Sequence, residues 1–230
     1  MSSPGPKASL DLTHVLYNDS SYLSLLLALI TLSPILLMAS YAALAVQSRE
    51  LLIIIMWAGQ LTNEALNYFI KHIIREDRPT NMVGNGYGLP SSHSQYMGYF
   101  SSFLILHMFY KQRFASSGYP LLDRTFRASV YLILLAWTGA VAYSRYHLNY
   151  HTPRQIYWGL FIGSSFAVFV YAILELLPFS SDLKSFLLTN PVSTFFEIRD
   201  GWAVWPDGGR QEEWKRWRRE WEELRRKKQS

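Results

Sequence analysis

The sequence predicts an all-α integral membrane protein: a bundle of about five transmembrane helices followed by a C-terminal amphipathic helix. Half of the 230 residues are hydrophobic and only 17% are charged. The apolar residues are also bunched into long runs rather than spread at a helical or strand period. A hydrocarbon core about 30 Å thick takes roughly 20 helical residues to cross, and several runs reach or approach that length. Cysteine is absent, which excludes a disulfide framework and thiolate chemistry, whether nucleophilic or metal-binding.

Residues 1–20 are polar, contain two prolines and lack the basic-then-apolar layout of a cleavable signal, so the first apolar run is expected to stay as an anchor. The five expected spans are 21–46, 51–70, 95–110, 127–143 and 156–177, the third being short and rich in Ser and Tyr. Residues 21–177 thus form a membrane domain between the polar start and a basic, Trp-rich tail, 178–230. In that tail Trp214, Trp217, Trp221 and Leu224 recur at i, i+3, i+7 and i+10 with Lys and Arg between them, as in an amphipathic helix lying in the membrane interface. The net charge of +5 is therefore assigned to a membrane surface, with no nucleic-acid partner.

Three polar patches border the apolar runs: Lys71 with Arg78 and Pro79; Pro90, Ser91, Ser92 and His93; and Ser144, Arg145 and His151. With five crossings, the 71–93 and 144–154 loops fall on the same side, so the patches can meet. The opposite side receives Arg49, Lys111, Arg113, Arg124, Arg127 and the basic tail; positive loops stay cytosolic, which puts the patches on the luminal or exterior face. Three cations and two imidazoles together suit phosphoryl transfer without a metal, because that chemistry needs mainly positioning and charge stabilisation.

In the second span Gln60, Glu64, Asn67 and Lys71 form one helical stripe, which must face protein or water. Gln60 and Glu64 read either as functional polar groups or as inter-helix hydrogen bonds. Gly84, Gly86 and Gly88 read as a flexible loop over the site, since a Gly-x-Gly-x-Gly run without a preceding strand says little about nucleotides. Ser91, Ser92 and His93 open the third span, where unpaired backbone N–H groups suit an anion. His147 and His151 lie four apart, but Asp123 is on the other side and Glu175 at the far end of the fifth span, so no metal site is expected. Pro153 predicts a turn rather than helix at 150–152. His14, His72 and His107 read as structural.

The spacing Lys71-x6-Arg78-Pro79, Pro90-Ser91-x-His93 and Ser144-Arg145-x5-His151 resembles the tripartite signature of the type 2 phosphatidic acid phosphatase superfamily of membrane lipid phosphatases, over about residues 50–177. Ser92 stands where that signature usually has Gly, and Gln155 where it usually has Asp. The string Tyr150-His151-Thr152-x-x-Gln155, with Arg78-Pro79-Thr80 and Leu89-Pro90-Ser91-Ser92-His93-Ser94-Gln95, resembles the superfamily's dolichyl diphosphate branch, in which Gln is expected. Chain length and the Trp-rich tail suggest a fungal member.

The resemblance implies hydrolysis of dolichyl diphosphate to dolichyl phosphate and inorganic phosphate, recycling the lipid carrier for protein N-glycosylation, with no cofactor. His151 would be the nucleophile and His93 the general acid. Lys71, Arg78 and Arg145 would bind phosphate with Ser92 adding donors, and Ser91 and Ser144 match motif positions. Gln155 would orient His151 by accepting its second N–H, so Gln155→Leu is expected to lose activity and Gln155→Glu to keep some. Lys227 and Lys228 match a cytosolic dilysine retrieval signal, consistent with a multi-pass endoplasmic reticulum protein whose site is luminal. Asn18-Asp19-Ser20 is a glycosylation sequon close to the first span. The rival readings are a broader-specificity lipid phosphate phosphatase and a non-catalytic lipid transporter or scaffold.

Overall fold

The structure, a computed structural model, describes residues 7–10, 15–18, 20–78, 86–112 and 118–229. Arg113, His14, Asp19, Gly84, Pro79 and Thr80 lie outside those residues, and with them the expectations resting on the sequon and on the first part of the glycine loop. A short hairpin of β1 (Lys7–Leu10) and β2 (Val15–Asn18) opens the described chain. The helices of the membrane domain are α1 (Tyr22–Ile30), α2 (Ser33–Ser48), α3 (Leu51–Ile74), α4 (Ser92–Tyr110), α5 (Pro120–His147) and α6 (Pro153–Tyr171), the last continued by a π-helical turn at Ala172–Leu176. The tail forms α7 (Ser180–Thr189), α8 (Pro191–Phe195), α9 (Gly201–Val204) and α10 (Arg210–Gln229).

The expected bundle is present, but its first span is two helices rather than one. Pro34 has no N–H to give the carbonyl of Ile30, and the Ser33 hydroxyl donates to that carbonyl instead at 2.6 Å. The chain therefore breaks at Thr31 and Leu32, between α1 and α2. Taken through that break, Tyr22–Ser48 is long and apolar enough to cross a membrane, as are Pro120–His147 and Pro153–Leu176.

The other two expected spans, α3 and α4, are more polar because their polar residues face each other rather than lipid. Asn63 and Asn67 of α3 are buried, and so is Gln95 of α4. Gln95 Nε2 donates to the Asn63 backbone carbonyl and side-chain Oδ1, both at 2.9 Å, and Asn67 Nδ2 donates to Gln95 Oε1 at 2.8 Å. In a dry interior each of these groups would cost free energy if left unpaired, so the pairing fixes the register of the two helices.

α4 is surrounded by protein along most of its length and needs no lipid-facing stripe. It crosses α6 at very close range. A Cβ on Gly159 would lie 2.6 Å from the Ser91 carbonyl oxygen, and one on Gly98 would lie 2.7 Å from that of Leu160. Gly163 likewise packs on the Gln95 carbonyl. Small residues at a membrane-helix crossing let the backbones touch, and here they bring the N-terminal ends of α4 and α6 side by side.

The C-terminal ends of α3 and α5 lie at that same end of the bundle. At the opposite end the buried Glu50 accepts from Arg199 Nε at 2.7 Å and from the Gly201 N–H at 2.8 Å. Lys111 pairs there with Glu175 at 3.1 Å.

Candidate active site

Each patch is set by the end of a helix. α3 stops because Arg75 takes a left-handed conformation (φ 53°) as its C-cap. Lys71 is thereby left in the last turn, and Glu76, Asp77 and Arg78 peel back over the bundle. The peptide bond Leu89–Pro90 is cis and leads into Ser91, the N-cap of α4. Ser92 and His93 then occupy the first turn, where backbone N–H groups lack intrahelical partners.

α5 ends with Arg145 in its last turn, and the backbone N–H groups of both Tyr150 and His151 return to the Arg145 carbonyl at 2.9 and 3.2 Å. Asn149, at φ 59°, makes that reversal. Residues 150–152 are the expected non-helical turn. Thr152 then caps α6 in a capping box with Gln155.

Lys71, Arg78, Arg145 and His151 all lie within electrostatic reach of His93. The three cations and two imidazoles from three separate patches therefore share one location. Among the described residues none of the three cations has a carboxylate within 4 Å, although Arg145 is only 5% exposed. The Nε atoms of Arg78 and Arg145 are buried without a partner. Lys71 has Glu64 within electrostatic reach, but buried cations that repel one another and form no ion pair are costly unless an anion offsets them.

Arg145 is nevertheless held in place. Its Nη1 donates to Thr31 Oγ1 at 3.3 Å, and its guanidinium carbon sits 3.9 Å over the Tyr150 ring. Tyr150 in turn accepts the Leu16 N–H at 2.9 Å through its hydroxyl, which ties the β1–β2 hairpin to the site. The break between α1 and α2 is what places Thr31 there.

Ser144 and Ser91 sit behind this location rather than in it. Ser144 Oγ lies 2.7 Å from Thr31 Oγ1 and donates to the Val141 carbonyl at 2.7 Å. Ser91 Oγ caps Ser94, accepting from its hydroxyl at 3.1 Å, while the Ser91 N–H goes to the Gln155 carbonyl at 3.1 Å. Both serines are fully buried and support the patches they belong to. Ser92 is half-buried on the first turn of α4.

His151 is buried, and its basicity is depressed to a pKa of about 3, by burial first and then by Arg145 and Arg78; a hydrogen bond to Gln155 opposes the shift. Burial also lowers the pKa of Arg78. His151 Nδ1 lies 3.2 Å from Gln155 Oε1. The same oxygen accepts the Thr152 N–H at 3.3 Å, and Gln155 Nε2 donates to Glu76 Oε1 at 3.1 Å and to the Asp77 carbonyl at 3.0 Å. Glu76 also pairs with Arg154 at 3.2 Å. Among the described residues no group of three or more His, Asp or Glu is placed to hold a metal ion.

Two sequence readings change. Gly88 does not belong to a loop over the site: its N–H donates to the Glu76 carbonyl at 2.7 Å, and a Cβ there would fall 2.6 Å from Gln155 Nε2. It is part of the packed support under Gln155. The Gln60–Lys71 stripe is real, but Asn63, one position off it, shares the buried face. Sequence reasoning missed Thr31 and Glu76 and gave Tyr150 only as part of a motif string, because their places depend on helix breaks and turns rather than on periodicity.

Residues 51–177 match the PAP2 superfamily, a stretch that contains all three patches and Gln155. The chain belongs to the PAP2 superfamily. Among its relatives are dolichyldiphosphatase 1 of Mus musculus, 36% identical over 203 residues, which covers 86% of this chain and 84% of that one, and a putative dolichyldiphosphatase of Neurospora crassa, 32% identical over 265 residues, with 88% and 93% covered. The fold matches the crystal structure of a transmembrane PAP2 type phosphatidylglycerolphosphate phosphatase from Bacillus subtilis, with a TM-score of 0.53 and 18% identity, covering 67% of this chain and 78% of that one.

Proposed function

We propose that this protein hydrolyses dolichyl diphosphate to dolichyl phosphate and inorganic phosphate, through a phosphohistidine on His151. The observation that carries the reading is the gathering of Lys71, Arg78, Arg145, His93 and His151 at one end of the bundle. Dolichyldiphosphatases are among the relatives that match over most of the chain.

The Nε2 lone pair of neutral His151 attacks the terminal phosphorus. The bond to the bridging oxygen breaks, and His93, which takes up a proton once the diphosphate's charge offsets the cations around it, gives that proton to the departing dolichyl phosphate. His93 then takes a proton from water as the water oxygen attacks phosphorus. The P–N bond breaks, releasing inorganic phosphate and restoring His151.

The depressed basicity of His151 keeps its ring neutral and ready to attack at physiological pH. Lys71, Arg78 and Arg145 hold the transferring group, each worth up to about 4 kcal/mol against one unit of charge at about 4 Å and an effective dielectric near 20, before desolvation. Three such charges can take the place of a metal clamp, so turnover should survive EDTA. The Lys and Arg bias of the loops supports a luminal site in the endoplasmic reticulum membrane, with the tail cytosolic and the product returned to the glycosylation carrier pool.

Purified protein assayed on dolichyl diphosphate, dolichyl monophosphate and phosphatidic acid tests the reading. Preference for the diphosphate supports it. Preference for phosphatidic acid points to a broader lipid phosphatase, and transport or scaffolding that persists in His93→Ala and His151→Ala points to a non-catalytic role.

A further inference from the structure

We propose that Glu76 is the carboxylate of this site, a positioning residue that governs His151 through the side chain of Gln155. The proposal rests on His151 being the nucleophile. It starts from the partners of one carboxamide.

Gln155 Nε2 faces two acceptors, Glu76 Oε1 at 3.1 Å and the Asp77 carbonyl at 3.0 Å, so that end must be the NH2 group. Oε1 then faces the Thr152 N–H at 3.3 Å and His151 Nδ1 at 3.2 Å. A carbonyl oxygen can only accept, so Nδ1 carries the ring proton and Nε2 keeps its lone pair. A flipped amide would set its oxygen against a carboxylate and a carbonyl, and its NH2 against an N–H. Glu76 therefore selects the tautomer of His151 from one residue away.

The carboxylate also has charge to contribute. When His151 accepts the phosphoryl group its ring becomes cationic, and a neutral amide alone offsets that charge weakly. The hydrogen-bonded chain from His151 through Gln155 to Glu76 carries the carboxylate's influence to the ring, as a directly bonded Asp would. Glu76 is itself held in position, since its backbone carbonyl accepts the Gly88 N–H at 2.7 Å and its Oε2 meets Arg154 at 3.2 Å. The same geometry revises the expectation for Gln155→Glu. A carboxylate there loses both donors and confronts Glu76, so this variant should be badly impaired rather than partly active.

The competing view is that Glu76 only pins the 76–88 segment through Arg154. Steady-state kinetics on dolichyl diphosphate in detergent, using protein that elutes as a single folded species, separates the two. Glu76→Gln is expected to lower kcat by about 10- to 100-fold while KM stays within about two-fold. Arg154→Gln, which removes the ion pair and leaves the chain of hydrogen bonds intact, should stay within about three-fold of wild type. The exchange Glu76→Gln with Gln155→Glu restores one carboxylate and one amide in reverse order, and should turn over at least about ten-fold faster than Gln155→Glu alone.

Glu76→Gln turning over like wild type, a loss confined to KM, an equal loss in Arg154→Gln, or no recovery in the exchanged pair would each overturn the proposal. If Glu76→Gln does not fold, the exchanged pair decides. His151→Ala is assayed in parallel. Retained turnover there removes the nucleophile reading itself, whereas an inactive His151→Ala beside a normal Glu76→Gln removes only the role of Glu76.

Discussion

At the scale of single residues the chemistry depends on how two neighbours treat His151. Burial with Arg145 and Arg78 close by lowers the ring's pKa from 6.5 to about 3. In that window the unfolded chain binds a proton that the folded protein refuses, so stability rises with pH between those values and is lost as the pH falls through them. The melting temperature in detergent should therefore drop on acidification from about pH 7 to about pH 4, and less steeply in His151→Asn. Parallel curves would contradict the burial of a neutral ring.

Gly88 matters for a purely steric reason, since a Cβ there would fall 2.6 to 2.9 Å from the atoms of the Gln155 amide. Displacing that amide by a fraction of an ångström should cut turnover by about ten-fold or more in Gly88→Ala with little change in melting temperature, as read by kcat and thermal unfolding together. The cations and imidazoles could be found from sequence because each stands beside an apolar run at a recognisable spacing. Glu76 could not: it reaches Gln155 only because Arg75 reverses the chain with a positive φ, and no periodicity encodes that.

Among the elements, the crossing of α4 and α6 has the most effect on the site, because it aligns the helix starts that carry His93 and Gln155. Gly163→Ala should push the two helices apart, destabilising the protein by about 1–3 kcal/mol and lowering turnover as well, measurable by thermal unfolding and kcat. An unchanged melting temperature would show that the crossing is looser than the contact of Gly163 with the Gln95 carbonyl implies. Hydropathy showed where α5 and α6 lie, but it ran α1 and α2 together. The break depends on Pro34 and on one hydroxyl, the Ser33 Oγ that satisfies Ile30, a local event that a sum over twenty residues hides. α3 and α4 were legible as apolar runs too, and on α3 the repeat of Gln60, Glu64, Asn67 and Lys71 at helical spacing added that one face must meet protein or water.

Across the whole molecule the two ends of the bundle do different work. One end gathers Lys71, Arg78 and Arg145, none with a carboxylate within 4 Å among the described residues, whereas at the other end Glu50, Glu175, Lys184 and Asp200 pair off to hold the tail. Glu50→Ala removes the acceptor for Arg199 and the Gly201 N–H. It should make the chain beyond residue 199 several-fold more sensitive to protease while leaving turnover within about two-fold, since the site lies at the far end. α10 leaves Trp214, Trp217 and Leu224 more than half exposed, and we propose that this face rests in the membrane interface.

The central claim is that His151 itself becomes phosphorylated among three cations. The direct measurement is to quench the purified protein during turnover of dolichyl diphosphate labelled in its terminal phosphate, and to ask what holds the label. An acid-labile, base-stable phosphoprotein that maps to His151 and vanishes in His151→Ala is the predicted result. Label passing to water with no protein-bound phosphate, or label found on a hydroxyl residue, would contradict the account.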